Sequence, residues 1–157
     1  SAASDVYKRQ LLTLPLAKQA KSVTLVDISE KMLEQARLKA EQQDIKNIQF
    51  LEQDLLEKPL EKEFDLIVIC RVLHHMPDLD AVLSLFHQHL KEDGQLLITD
   101  FTKTEANHHG FELVELENKL AQFDFSSVHS QILYSAEDLF QGNYSELFFT
   151  VAQKSLA

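Results

Sequence analysis

Four apolar runs in this chain end on residues that can do chemistry. Asp27 follows Val23-Thr24-Leu25-Val26, and Asp54 comes shortly after Ile48-Gln49-Phe50-Leu51. Cys70-Arg71 follows Leu66-Ile67-Val68-Ile69, and Asp100 follows Gln95 to Thr99. A carboxylate carries two acceptor oxygens, a pair that suits a vicinal diol. The same Asp27 also reads as a helix cap, because Asp27-x-x-Glu30 resembles a capping box. Spacing leaves both readings of Asp27 open. His74-His75 stand just past the third of these runs, and an imidazole there can take a proton from a nucleophile. His75 is the candidate general base; its alternative role is to shape a pocket rim or pack on the next helix. Cys70 has no activating base beside it, so it reads as pocket lining rather than a nucleophile.

Other polar groups make weaker sites. His87 and His89 lie two apart on a predicted helix and point in different directions, which fits surface or partner contacts better than a shared metal. His108-His109 precede Glu112 and Glu115. That set reads as a metal or substrate site, or more simply as an exposed polar loop. Glu112, Glu115 and Glu117 share no helical stripe and read as a solvated face. No metal site is expected.

The elements that must position these residues alternate. Helices are predicted over residues 11–20, 29–42, 78–90 and 111–121, from apolar positions recurring on one face. Strands are predicted over 22–26, 47–51, 64–70, 95–99, 126–133 and 146–153. The run Phe64-Asp-Leu-Ile-Val-Ile-Cys70 is nearly continuous in apolar residues, the pattern of a strand covered on both faces. Glu92-Asp93-Gly94 reads as a turn. Residues 1–10 carry neither period and read as a tail or an artefact of the gene start. Such alternation predicts an α/β fold with a doubly wound, mostly parallel sheet. In such folds ligands bind at the carboxyl ends of the strands, where Asp27, Asp54, Cys70, Arg71 and Asp100 fall.

Composition narrows the function classes. In 157 residues, 15 basic and 25 acidic side chains give a net charge of −10, so nucleic acid and anionic membranes are repelled. No run approaches the roughly 18 apolar residues of a membrane span. No export signal opens the chain, and one cysteine excludes a disulfide framework. The expectation is a soluble, acidic, cytoplasmic protein, with no nucleic-acid or membrane partner and an open oligomeric state.

Glycine is scarce, at three residues: Gly94, Gly110 and Gly142. A nucleotide-binding turn should lie about 20 residues before a ribose-holding acid. Counting back from Asp27 reaches Tyr7-Lys8-Arg9-Gln10, which holds no glycine. The strand that should feed that turn is missing as well, and its loss should leave backbone groups of its two neighbours unpaired.

Four segments together resemble the class I S-adenosylmethionine-dependent methyltransferases, in particular the small bacterial enzymes of the methyltransferase type 11/12 kind. They are Val23-Thr-Leu-Val-Asp27-Ile-Ser29-Glu-Lys-Met32-Leu33, Ile48-Gln-Phe-Leu-Glu-Gln-Asp54-Leu55, Phe64-Asp-Leu-Ile-Val-Ile-Cys70-Arg71-Val-Leu-His74-His75-Met76, and Leu90-Lys-Glu-Asp-Gly94-Gln-Leu-Leu-Ile-Thr-Asp100. The resemblance implies a Rossmann-like sheet whose last strand is antiparallel, in a partial methyltransferase domain over 11–157 that lacks its first strand and glycine-rich loop. It implies S-adenosyl-L-methionine as cofactor. Asp27 would then hold the ribose, with Ile28 and Met32 packing near adenine and ribose. Asp54 would accept from the adenine amino group beside the Leu55 backbone, and Cys70 and Arg71 would line the methionine end. The function implied, in the intact parent enzyme, is methyl transfer to an unidentified small-molecule acceptor. Two alternatives are a non-catalytic, partner-binding remnant on the same scaffold and a nicotinamide-dependent dehydrogenase domain. The second predicts a last strand parallel to its neighbours.

Overall fold

The computed structural model describes residues 21–27, 30–51, 63–70, 73, 76, 78–104, 110–140 and 143–155. β1 (Val23–Asp27), β2 (Ile48–Leu51) and β3 (Phe64–Cys70) are parallel, with α1 (Glu30–Gln42) after β1 and α2 (Leu79–His89) after β3. β4 (Leu90–Phe101) continues the parallel run beside β3. α3 (Leu113–Gln122), β5 (Phe125–Phe140) and β6 (Asn143–Lys154) complete the order. The six strands lie as β2-β1-β3-β4-β6-β5. β6 is antiparallel to both β4 and β5, as the methyltransferase resemblance implies and unlike the parallel last strand of the dehydrogenase alternative.

Two expectations need correction. Sequence reasoning expects two strands to be left without ladder partners on either side of an absent first strand. Instead β1 and β3 pair directly, from Val23 with Leu66 to Asp27 with Cys70, and so satisfy one another. Glu92-Asp93-Gly94 was to be a turn before a strand starting at 95. Instead β4 starts at Leu90 and the triplet forms a bulge, where Phe64 pairs with Leu90 but Leu66 with Gln95. Asp93 takes φ 63°, and a Cβ on Gly94 would come within 2.8 Å of the Lys91 carbonyl oxygen. The end of β6 fastens the bulge. Lys154 Nζ donates to the Leu90 carbonyl at 2.8 Å, and Gln153 Nε2 donates to Asp93 Oδ1 at 3.3 Å.

The sheet buries two unequal faces. One carries Val26, Ile67, Ile69, Leu96, Ile98 and Phe148 beneath α2 and α3, which contribute Val82, Leu83, Phe86, Leu116 and Leu120. The other carries Val23, Leu25, Leu66, Val68, Cys70 and Leu97, with Leu33 and Ala36 of α1 packed against them. Alternate residues of one strand face opposite sides, which is how β1 and β3 feed both clusters. α2 opens with Asp78, whose Oδ1 accepts from the Ala81 amide at 3.0 Å. α1 closes with the Ile45 amide donating to the Ala40 carbonyl at 2.8 Å and Asp44 at φ 57°. This is the left-handed helix end that glycine usually takes.

Candidate active site at the carboxyl edge of the sheet

After β1 the chain moves outward to β2; with β3 it returns to the other side of β1 and continues to β4. α1 packs on one face and α2 on the other. The strand order therefore reverses between β1 and β3, and a crevice for ligands is expected outside the carboxyl ends at that point. β1 ends there on Asp27 and β3 on Cys70, and these two are register partners. Cys70 pairs in turn with Thr99 of β4. Residues 27, 70 and 99 thus form one row across three strands at the edge where sequence reasoning placed the site.

Cys70 is 2% exposed and in no disulfide. Met32 is half-buried in the first turns of α1. The backbone of Asp27 belongs to the row, while its side chain lies outside what the structure describes. Ile28, Asp54, Leu55, Arg71, His74 and His75 also lie outside the described residues, as do His108 and His109. Asp100, one step past the row, is buried, and its Oδ1 accepts from the Phe101 amide at 2.8 Å.

Thr99 is a feature that sequence reasoning passed over. Four threonines are buried among the described residues: Thr24, Thr99, Thr102 and Thr150. Thr24 Oγ1 donates to the Gln49 carbonyl at 3.4 Å, and Thr102 Oγ1 donates to Glu146 Oε1 at 3.1 Å. Thr150 Oγ1 and Ser130 Oγ share a hydrogen bond of 2.7 Å. Thr99 Oγ1 is buried with no hydrogen-bond partner. An unmet buried hydroxyl costs about 1–3 kcal/mol. No sequence signal separates it from a valine in an apolar strand.

A clasp closes the same edge on the α2–α3 side. The Phe111 amide donates to the Phe101 carbonyl, the Lys103 amide to the Phe111 carbonyl and the Thr102 amide to the Glu146 carbonyl, each at 2.9 Å. Gly110 is pressed so closely between them that a Cβ would lie 2.1 Å from the Thr102 carbonyl oxygen. Beside the clasp is an open cavity of about 460 Å³ whose walls include Leu79, Lys103, Phe111, Glu112, Glu115 and Lys119. Glu112 and Glu115 share this wall, and Lys119 Nζ reaches Asp80 Oδ1 at 2.6 Å. Among the described residues no group of three or more His, Cys, Asp or Glu is placed to hold a metal ion.

The other histidines belong elsewhere. His87, in the last turn of α2, meets Phe125 at the start of β5 edge-to-face, with centroids 5.3 Å apart. It therefore packs within the chain at the opposite edge of the sheet, where a surface or partner contact was expected. No helix among the described residues is long and apolar enough to cross a membrane.

Comparison with known proteins assigns the chain to a family. The ubiquinone biosynthesis O-methyltransferase of Rickettsia typhi is 27% identical over 95 residues, covering 60% of this chain and 38% of the relative. The enzyme of the same name from Xylella fastidiosa (strain 9a5c) is 32% identical over 99 residues, covering 61% of this chain and 39% of the relative. The matched region thus spans about two fifths of the length of these curated relatives. In fold, the chain resembles the Haemonchus contortus phosphoethanolamine N-methyltransferase 2 solved in complex with S-adenosyl-L-methionine. The TM-score is 0.66 at 14% identity, over 96% of this chain and 53% of that one. The family model for a methyltransferase domain matches residues 10–148, most of the chain, and the chain accordingly belongs to the methyltransferase-domain family.

Proposed function

We propose that this chain is the cofactor-binding portion of a class I methyltransferase that uses S-adenosyl-L-methionine and transfers its methyl group to a small molecule. One observation carries the reading: strand ends 27, 70 and 99 lie in register at the reversal of strand order. The donor set fits the group, since this edge presents a buried thiol and an unpartnered buried hydroxyl beside the backbone of Asp27. When bound, the cofactor supplies an activated methyl and its own leaving group, which leaves the protein the tasks of alignment and proton removal. Asp27 holds the ribose hydroxyls, and Ile28 and Met32 pack against adenine and ribose. Asp54 accepts from the adenine amino group beside the Leu55 backbone. Cys70 and Arg71 line the methionine end. His75 takes a proton from the acceptor. The cavity beside the clasp gives the acceptor room, and the relatives named for O-methyl transfer favour a hydroxyl as acceptor.

Calorimetric titration with S-adenosylhomocysteine tests the reading. The chain should bind it, and Asp27→Ala should weaken binding by at least about tenfold, the loss expected of hydrogen bonds to a charged group. A second reading, a partner-binding remnant, is favoured by the direct β1–β3 pairing and by the lack of glycine at either strand end. It predicts no heat of binding, so the same titration separates the two.

A further inference from the structure

We propose that the Thr99 hydroxyl is a hydrogen-bonding contact for the amino-acid end of the bound cofactor. The proposal rests on the function proposed above and extends it to a residue on a third strand. Thr24, Thr102 and Thr150 all satisfy their hydroxyls within the protein, and Thr99, 1% exposed, does not. Valine has nearly the same shape and would avoid the desolvation of an unmet hydroxyl. A threonine there is reasonable only if its hydroxyl gains a partner in another state of the protein.

Its place in the sheet says which partner. Thr99 extends the face of Leu97 by one alternation, the face that Cys70 shares. Position 27 lies two strands away, at roughly 10 Å for neighbours about 4.8 Å apart. That distance matches the chain joining the ribose of a nucleoside sulfonium to its amino-acid group. With the ribose at position 27, the amino-acid end extends past Cys70 toward Thr99. Its ammonium and carboxylate offer the donors and acceptors that the hydroxyl lacks.

Two ligands and two substitutions test this on the full chain. S-adenosylhomocysteine carries the amino-acid group, and 5′-methylthioadenosine lacks it. Thr99→Val should bind S-adenosylhomocysteine about tenfold more weakly by calorimetry and bind methylthioadenosine as the wild type does. The same variant without ligand should melt at an equal or higher temperature. Thr99→Ser, which keeps the hydroxyl, should restore most of the lost affinity. Unchanged S-adenosylhomocysteine affinity in Thr99→Val overturns the proposal, and so does an equal loss for both ligands. Wild-type chain that binds neither nucleoside overturns the proposed function and this contact with it. Wild-type chain that binds both, with Thr99→Val unaffected, overturns the contact alone.

Discussion

The two faces of the sheet are built to different weights. Beneath α2 and α3, the cluster includes Phe64, Phe86, Phe125 and Phe148 with a row of leucines and isoleucines. Beneath α1, the buried helical stripe is Leu33, Ala36 and Ala40, and the cluster contains no buried aromatic. An alanine stripe brings the helix backbone close to the strands but removes little apolar area from water. The heavier face therefore supplies most of the stability. The lighter face carries Cys70 and Thr99 at its carboxyl edge.

That contrast can be broken by truncation. Phe86 is fully buried among the heavier cluster, and Phe86→Ala should cost about 3–5 kcal/mol in urea unfolding. Leu33→Ala on the lighter face should cost about 2–3 kcal/mol, the low end for such a change. Equal losses would mean the faces share the load and the contrast is only compositional. Next in size is the clasp. Gly110→Ala forces a Cβ against the Thr102 carbonyl and should cost about 1–3 kcal/mol in thermal melts, the range for imposed backbone strain. Hydrogen exchange should quicken at the Lys103 and Phe111 amides, and unaltered exchange there would show that the edge holds without the close approach. The smallest effect sharpens the comparison. Asp44→Gly should raise stability by about 0.5–1 kcal/mol by relieving a left-handed aspartate at the end of α1. No gain would place the strain elsewhere on that face.

Sequence reasoning reached the positions of most elements because their periods are local. The continuous apolar run of β3 matches the described strand, Phe64–Cys70, and the face of α2 that repeats Val82, Leu83 and Phe86 gives a helix within a residue of its expected ends. The antiparallel β6 was implied by family resemblance, since strand direction leaves no mark on composition. What stayed hidden is non-local. Nothing in Val23–Asp27 says that its neighbour is β3, and nothing in Ile98-Thr99-Asp100 says that one hydroxyl finds no acceptor. Positive φ angles are also hard to read where aspartate carries them. Asp44, Asp93 and Asp124 take positive φ angles at helix ends and the bulge, so these places lack their usual marker. The outer strand was read too short, as 126–133 where β5 runs from Phe125 to Phe140.

That outer strand, β5, runs sixteen residues along the rim of the sheet, with Ile132 38% exposed. Its pairing with β6 slips between Ser126 and His129, Ile132 and Tyr134, and Ala136 and Phe140, and Ser127 adopts φ 51°. A straight rim of this length would offer any passing polypeptide a ready template for fibril growth. The three slips interrupt the regular ladder that such a template needs, the way a bulge blunts an edge strand.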